Sequence, residues 1–233
     1  MTGAIAISAQ AFTTDSGKFT MLTTNLLVFD IETVPDTNLG ARIFDLADLE
    51  PEDQAKALRV KRLEKTGNSD FLGHHMHRIV AISAVLRSHD SFRVWSLGEA
   101  DSSEAEILDR FFVGVERFDP VLVSWNGGGF DLPVIHYRSL LHAVTGSRYW
   151  EVGDNDQSFR YNNYGNRFHW RHIDLMDVLA GFQFRAAAPL HEIAVMLGLP
   201  GKLGMSGGDV WDSYIGNRID QIRNYCEIDV LNT

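Results

Sequence analysis

Leu26-Leu27-Val28-Phe29-Asp30-Ile31-Glu32-Thr33 is the stretch on which the fold turns. Its aliphatic and aromatic residues favour a strand, and alternation puts Leu26, Val28, Asp30 and Glu32 on one face and Leu27, Phe29 and Ile31 on the other. Apolar side chains on both faces predict a strand covered on both sides, as in the middle of an α/β sheet. Asp30 and Glu32 then project together from its C-terminal end, their Cα atoms roughly 6.5 Å apart by the strand rise. Open α/β sheets bind ligands at that edge. Two carboxylates there require compensation, either from a structural salt bridge or from a bound cation.

Moving outward, Arg78–Arg87 and Phe92–Leu97 read as two further strands, and the four residues Ser88–Ser91 between them suit a hairpin. Ser102 and Ser103 precede Glu104, Glu106 and apolar residues at Ile107, Phe111, Phe112 and Val115, which predicts a capped helix. After Pro120 comes a fourth strand, Val121–Trp125, broken by Gly127–Gly129. Helical periodicity then runs over Leu132–Val144, with Pro133 tolerated in the first turn. Strand and helix alternate, the mark of an α/β domain. The segment Thr33–His77 is polar and charged, helical around Glu50–Lys65, and reads as an insertion or flap. Trp150–Trp170 reads as loop. Asp174–Phe182, Leu190–Leu197 and Arg218–Asn232 read as helices around a glycine-rich Gly198–Gly208.

With 233 residues, 45% of them hydrophobic, the chain suits one domain, read as 25–233 with its insertion at about 33–77. Residues 1–24 read as a disordered leader in which Met21 is an alternative start. The apolar patch Ala4–Ile7 is too short for a secretory signal and no positive charge precedes it. Thr233 falls four residues past Asp229, in what reads as mid-helix, so the expectation is a chain truncated at its C-terminus. Every apolar run is strand-length, far below the roughly 18 to 20 residues that span a bilayer, which argues against a membrane protein. Cys226 is the sole cysteine. That excludes an intrachain disulfide and a cysteine-type zinc site, and places the protein in a reducing compartment, the cytoplasm. A net charge of 21 − 31 = −10 argues against a nucleic-acid partner unless the carboxylates hold cations that reverse the local sign.

Other residues carry candidate chemistry beside plainer roles. Asp131 stands where a helix N-cap is expected. The three glycines before it are not followed by Gly-Lys-Ser/Thr, so they are not a nucleotide P-loop but a place where backbone approaches something closely. Tyr225 and Asp229 are four residues apart and share a helix face, on the shoulder of a stripe formed by Ile219, Ile222, Cys226 and Val230. From there they are expected to look across the sheet edge rather than into the core. His74, His75 and His77 lack complementary zinc ligands and read as a loop entering a strand. Asp174 reads as a helix cap. Lys202, Arg171 and Arg185 are candidate phosphate contacts, and Trp150–Trp170, with Arg160 and Arg167, is either a substrate flap or a solvated loop.

In order, the strand-end Asp30-Ile31-Glu32-Thr33, then Asn126-x-x-x-Phe130-Asp131 opening a helix, then Tyr225-x-x-x-Asp229 resemble the three exonuclease motifs of the DEDD superfamily. Each motif alone is common in a chain with 31 acidic residues; the ordered set is specific. The resemblance is closest to the tyrosine-containing class, in particular the proofreading domains of family-B DNA polymerases and their stand-alone relatives. Asn224 occupies the position where the histidine class carries its histidine. The resemblance implies a ribonuclease H-like fold, a central mixed sheet flanked by helices. It implies that Asp30, Glu32, Asp131 and Asp229 are metal ligands, that Tyr225 orients or activates the attacking water, and that Thr33, Asn126 and Phe130 contact a single-stranded 3′ end. Oxygen-only ligands suit Mg²⁺ or Mn²⁺, and two such ions would bind the scissile phosphate and serve the attacking water and the leaving 3′ oxygen. The expected reaction is 3′–5′ exonucleolytic hydrolysis of single-stranded DNA or RNA, DNA favoured, to nucleoside 5′-monophosphates. The rival readings are a non-catalytic nucleic-acid-binding scaffold of the same fold and a ribonuclease H-type endonuclease.

Overall fold

In the computed structural model, which describes residues 24–89 and 91–233, β1 (Leu26–Pro35) lies at the centre of a five-stranded sheet. All of the expected leader except Thr24 lies outside those residues, as does Met21. The strands stand in the order β3-β2-β1-β4-β5, with β2 spanning His77–Arg87, β3 Phe92–Ser96, β4 Val121–Ser124 and β5 His172–Asp174. The hairpin of β2 and β3 is antiparallel and so is the pairing of β2 with β1, whereas β4 and β5 run parallel to β1. This is the mixed, helix-flanked sheet of a ribonuclease H-like α/β fold. The fifth strand escaped the sequence reading because three residues, two of them polar, carry no periodicity.

Helices cover both faces. Leu27, Phe29 and Ile31 pack with Ile82, Ala84 and Leu86 of β2 against α3 (Glu104–Phe118) and α4 (Asp131–His142). On the opposite face Val34, Val80 and Ala81 pack against α7 (Val210–Ile215) and α8 (Ile219–Asn232) through Val210, Ile222, Tyr225 and Cys226. The pairing of β1 with β2 slips between Glu32 and Thr33, where Val80 is the extra residue. Such a bulge re-aims side chains locally, and here it turns both Val80 and Ala81 toward α8.

The segment after β1 has more structure than a polar flap. Asp36 caps α1 (Thr37–Phe44) through the Leu39 N–H at 2.9 Å, and α1 packs on α2 (Pro51–Thr66). Leu58, Leu72 and Met76 form a small core of their own. Gly40 is required where α1 meets α2, since a Cβ there would collide with Leu58. The stretch 150–170 is irregular apart from one short turn, yet Phe159 and Tyr164 are buried in the main core, and the Tyr164 hydroxyl donates to Pro120 O. It is therefore a docked loop rather than a solvated one. The C-terminal half adds two short helices, α5 (Leu175–Leu179), capped by Asp174 as expected, and α6 (Leu190–Met196). None of the helices among the described residues is long and apolar enough to cross a membrane.

One buried ionic knot ties α3 and α4, which share a face of the sheet, to β2 and to the residue after β1. Arg138 of α4 donates to Glu104 through Nε at 2.8 Å and Nη2 at 2.6 Å, and through Nη1 to Asp36. Glu104 also accepts from the Ile79 N–H at 2.6 Å. All three charged residues are buried. Removing one partner strands the others without water, so Arg138→Met should cost about 3–5 kcal/mol in urea unfolding. Adding Glu104→Gln to that variant should cost less than the two single substitutions summed, because the pair acts as a unit.

Candidate active site

The end of β1 brings together carboxylates that the chain separates by up to 199 residues, from Asp30 to Asp229. Asp30 and Glu32 share the face covered by α8. Ligand atoms of Asp30, Glu32 and Cys226 lie within 4.8 Å of one another. Asp131 reaches the group from the opposite side by a different route from the one expected. The N-cap of α4 is Phe130; Asp131 is its first residue, and its Oδ1 accepts from the Ile31 N–H at 3.1 Å. Strand β4 pairs with β1 only from Leu26 to Val28. Beyond that point the Asp131 carboxylate takes over as partner of the β1 backbone.

The turn that presents Asp131 is held by Asp174. Its Oδ1 accepts from Asn126 N and its Oδ2 from Gly128 N, each at 2.9 Å, in addition to capping α5. Asn126 takes a left-handed φ of 63°, and a side chain at Gly127 would strike Ser124. The close approach implied by the glycines is thus to the protein itself. Their spacing marked the turn, but only tertiary structure identifies Asp174 as its anchor.

From α8, Tyr225 and Asp229 point inward and are 4% and 7% exposed. Their expected place at the sheet edge is corrected by the packing: α8 lies flat against β1 and β2, so the shoulder of its apolar stripe faces the end of β1. Lys202 has its Nζ 5.4 Å from the centre of the Tyr225 ring. The Cys226 thiol donates to Asp30 O at 3.4 Å and to Asp30 Oδ2 at 3.6 Å. Sequence periodicity marked Cys226 only as an apolar stripe residue; its neighbours come from the far strand. Of the other residues weighed, Arg171 is engaged with Asp119 at 2.8 Å and Arg167 with Asp177 at 2.7 Å. His77 hydrogen-bonds Thr33 Oγ1 at 2.9 Å, and burial lowers its pKa to about 4.

The electrostatics of the cluster are those of like charges without water. Burial, then Asp131, Glu32 and Asp229, hold the Asp30 carboxyl well above the usual range. Burial and Asp229 do the same to Glu32. Burial raises Asp131 to about 7 and also lifts Asp229. Tyr225 is pushed far up by burial and by the charges of Glu32 and Asp229. Lys202 opposes the rise at Glu32 and Asp229, and His191 does so at Asp229.

One atom remains unpaired: Asp229 Oδ1 is the single buried side-chain N or O atom among the described residues without a hydrogen-bond partner. A divalent cation would give the orphaned carboxylate oxygen a partner and lower the raised pKa values of the carboxylates around it. The donor set therefore fits hard, oxygen-preferring ions such as Mg²⁺ or Mn²⁺. The thiol of Cys226 is the one soft donor nearby, and it is already engaged with Asp30.

Fold and cluster together define a ribonuclease H-like domain with an acidic centre at the end of its first strand. The family described as predicted 3′–5′ exonuclease related to the exonuclease domain of PolB matches residues 69–233, and the chain belongs to it. The matched stretch contains Asp131, Tyr225 and Asp229; Asp30 and Glu32 precede it. No curated protein matches the chain.

A pH signature follows. The folded-state pKa of Asp131, about 7, lies above its ordinary value of 3.8. The resulting penalty is absent below pH 3.8 and grows until pH passes about 7. In EDTA the Tm should therefore fall between pH 5 and pH 8. Mn²⁺ should raise Tm more at pH 8 than at pH 5, since only the ionised ligands bind it. Thermal melts at both values, with and without Mn²⁺, measure this, and an equal or absent Mn²⁺ shift would contradict it.

Proposed function

We propose that the protein is a metal-dependent 3′–5′ exonuclease acting on single-stranded nucleic-acid ends, with DNA the favoured substrate. The observation that supports this reading is that Asp131, Glu32 and Asp229 all act electrostatically on the Asp30 carboxyl, Asp229 with an orphaned buried oxygen and a buried tyrosine one helical turn away. Family membership gives the reaction class. In this reading Asp30, Glu32, Asp131 and Asp229 hold two divalent cations. When bound, these neutralise the scissile phosphate and lower the pKa of an attacking water.

The protein's own groups do the remaining work. Tyr225, whose phenol stays protonated, is placed to donate or accept a hydrogen bond with the water and so fix its line of attack. Lys202, beside Glu32 and Tyr225, is placed to offset charge that grows on the phosphate oxygens. Thr33 follows the acidic pair on β1, and Asn126 and Phe130 come from the turn that Asp174 anchors. All three line one cavity with Glu32, where they would grip the last nucleotide. In-line attack at the terminal phosphorus forms the new P–O bond as the P–O3′ bond breaks, leaving a 3′ hydroxyl on the shortened strand and releasing a nucleoside 5′-monophosphate.

The test is digestion of a 5′-labelled oligonucleotide with Mg²⁺ or Mn²⁺. A ladder receding from the 3′ end is expected, abolished by EDTA and reduced about a hundredfold or more in Asp30→Ala and Asp229→Ala. Tyr225→Phe should lose roughly a hundredfold in rate while keeping the Mn²⁺ stabilisation. Unchanged laddering in the alanine variants would reject the assignment, and cleavage of a closed circular strand would make the enzyme an endonuclease.

A further inference from the structure

The cavity beside the acidic cluster, about 450 Å³, has a second wall that the exonuclease motifs do not supply. Besides Glu32, Thr33, Asn126 and Phe130, its lining includes Arg59 of α2, Phe71 from the strap after α2, and Trp211 of α7. That volume lies in the range, about 300–1,000 Å³, of sites that enclose small ligands. Its lining combines the carboxylates of Glu32 and Asp70, the aromatic rings of Phe71, Phe130 and Trp211, and the exposed guanidinium of Arg59.

Phe71 is the informative residue. It is 54% exposed, yet it is held in place. Its ring centre lies 5.6 Å from that of Phe130 and 5.1 Å from that of His77, and its carbonyl accepts from Arg62 Nε at 2.8 Å. His77 in turn bonds Thr33 Oγ1 and Leu72 O, which clamps the strap to β1. An aromatic ring left open to solvent on a rigid mount, facing a cavity, is suited to receive another flat ring. The last two turns of α2 carry Arg59, Lys61, Arg62 and Lys65 against Glu64, a local charge of 4 − 1 = +3 on a chain of net −10. None of α1 or α2 lies in the stretch matched by the family, 69–233.

We propose that the segment Thr37–His77 is a substrate-binding arm: Phe71, which lines the cavity together with Trp211, stacks on an unpaired base at the 3′ end, and Arg59 contacts the phosphate backbone at the cavity rim. The inference rests on the exonuclease reading of the site and assigns its insertion a role. It also gives an acidic protein a cationic contact for a polyanion, since Arg59 lines the cavity beside the carboxylates whose sign bound metal ions would reverse.

Binding is read apart from hydrolysis, by fluorescence anisotropy of a 5′-fluorescein single-stranded ten-mer with Ca²⁺ in place of Mg²⁺. Phe71→Ala should weaken binding about tenfold, and Phe71→Trp should restore it. On a ten-mer whose 3′-terminal nucleotide is abasic, wild type should bind about as weakly as Phe71→Ala does on the intact strand, and the substitution should then add little. Arg59→Gln should weaken both substrates alike and lower the slope of log Kd against log salt by about one. Equal loss by Phe71→Ala on intact and abasic ends, or no loss on either, would overturn the stacking role. An unchanged salt slope would overturn that of Arg59. Base-dependent binding without any laddering in Mn²⁺ would sink the exonuclease reading and leave the arm standing; laddering without base dependence would do the reverse.

Discussion

Removal of four carboxylates from water around the end of β1 is the constraint on which the architecture of the site depends. Asp30 and Glu32 are fixed by strand alternation on β1, Asp131 by its bond to the Ile31 N–H, and Asp229 by α8 lying flat on the sheet. Burial is the largest cause of the rise at each of the four; repulsion from the other carboxylates adds to it at Asp30 and Glu32, and Lys202 opposes it at Glu32 and Asp229. Such a cluster is relieved either by protonation of its members or by a cation seated among them, and the proposed exonuclease uses the second.

The rigidity around the cluster follows from the same logic. Asp174 pins the glycine turn, Arg138 ties Asp36 to Glu104, and the bulge at Val80 seats α8. The first two use buried polar groups whose partners are complete. The exception is Asp229 Oδ1, and it stands at the centre of the site rather than in its scaffold. Incomplete pairing confined to one place separates the chemistry from the frame.

Much of this was legible in the sequence. Strand β1, the hairpin of β2 and β3, α3 with its Ser103 cap, and α4 follow from alternation, helical period and turn residues, all local signals. The acidic residues and Tyr225 were singled out by their order along the chain. The rest depends on contacts between distant segments. Strand β5 is too short to show a period, and α7 is a six-residue helix after a glycine-rich stretch. Asp131 read as an N-cap because its chain neighbours say so, while its actual partner is 100 residues away. Tyr225 and Asp229 read as edge residues because a helical wheel cannot show which way the helix rolls on the sheet. Arg59 and Phe71 lie in a segment whose polarity concealed a small core and a wall of the cavity.

The most direct measurement is the location of Mn²⁺ by its anomalous scattering in crystals soaked at pH 8. The account predicts density among Asp30, Glu32, Asp131 and Asp229, with Asp229 Oδ1 gaining a partner, and its loss in crystals of Asp30→Ala. Crystals that take up no Mn²⁺ there, or that bind it only at surface carboxylates, would contradict the claim that this buried acidic cluster is a cation site.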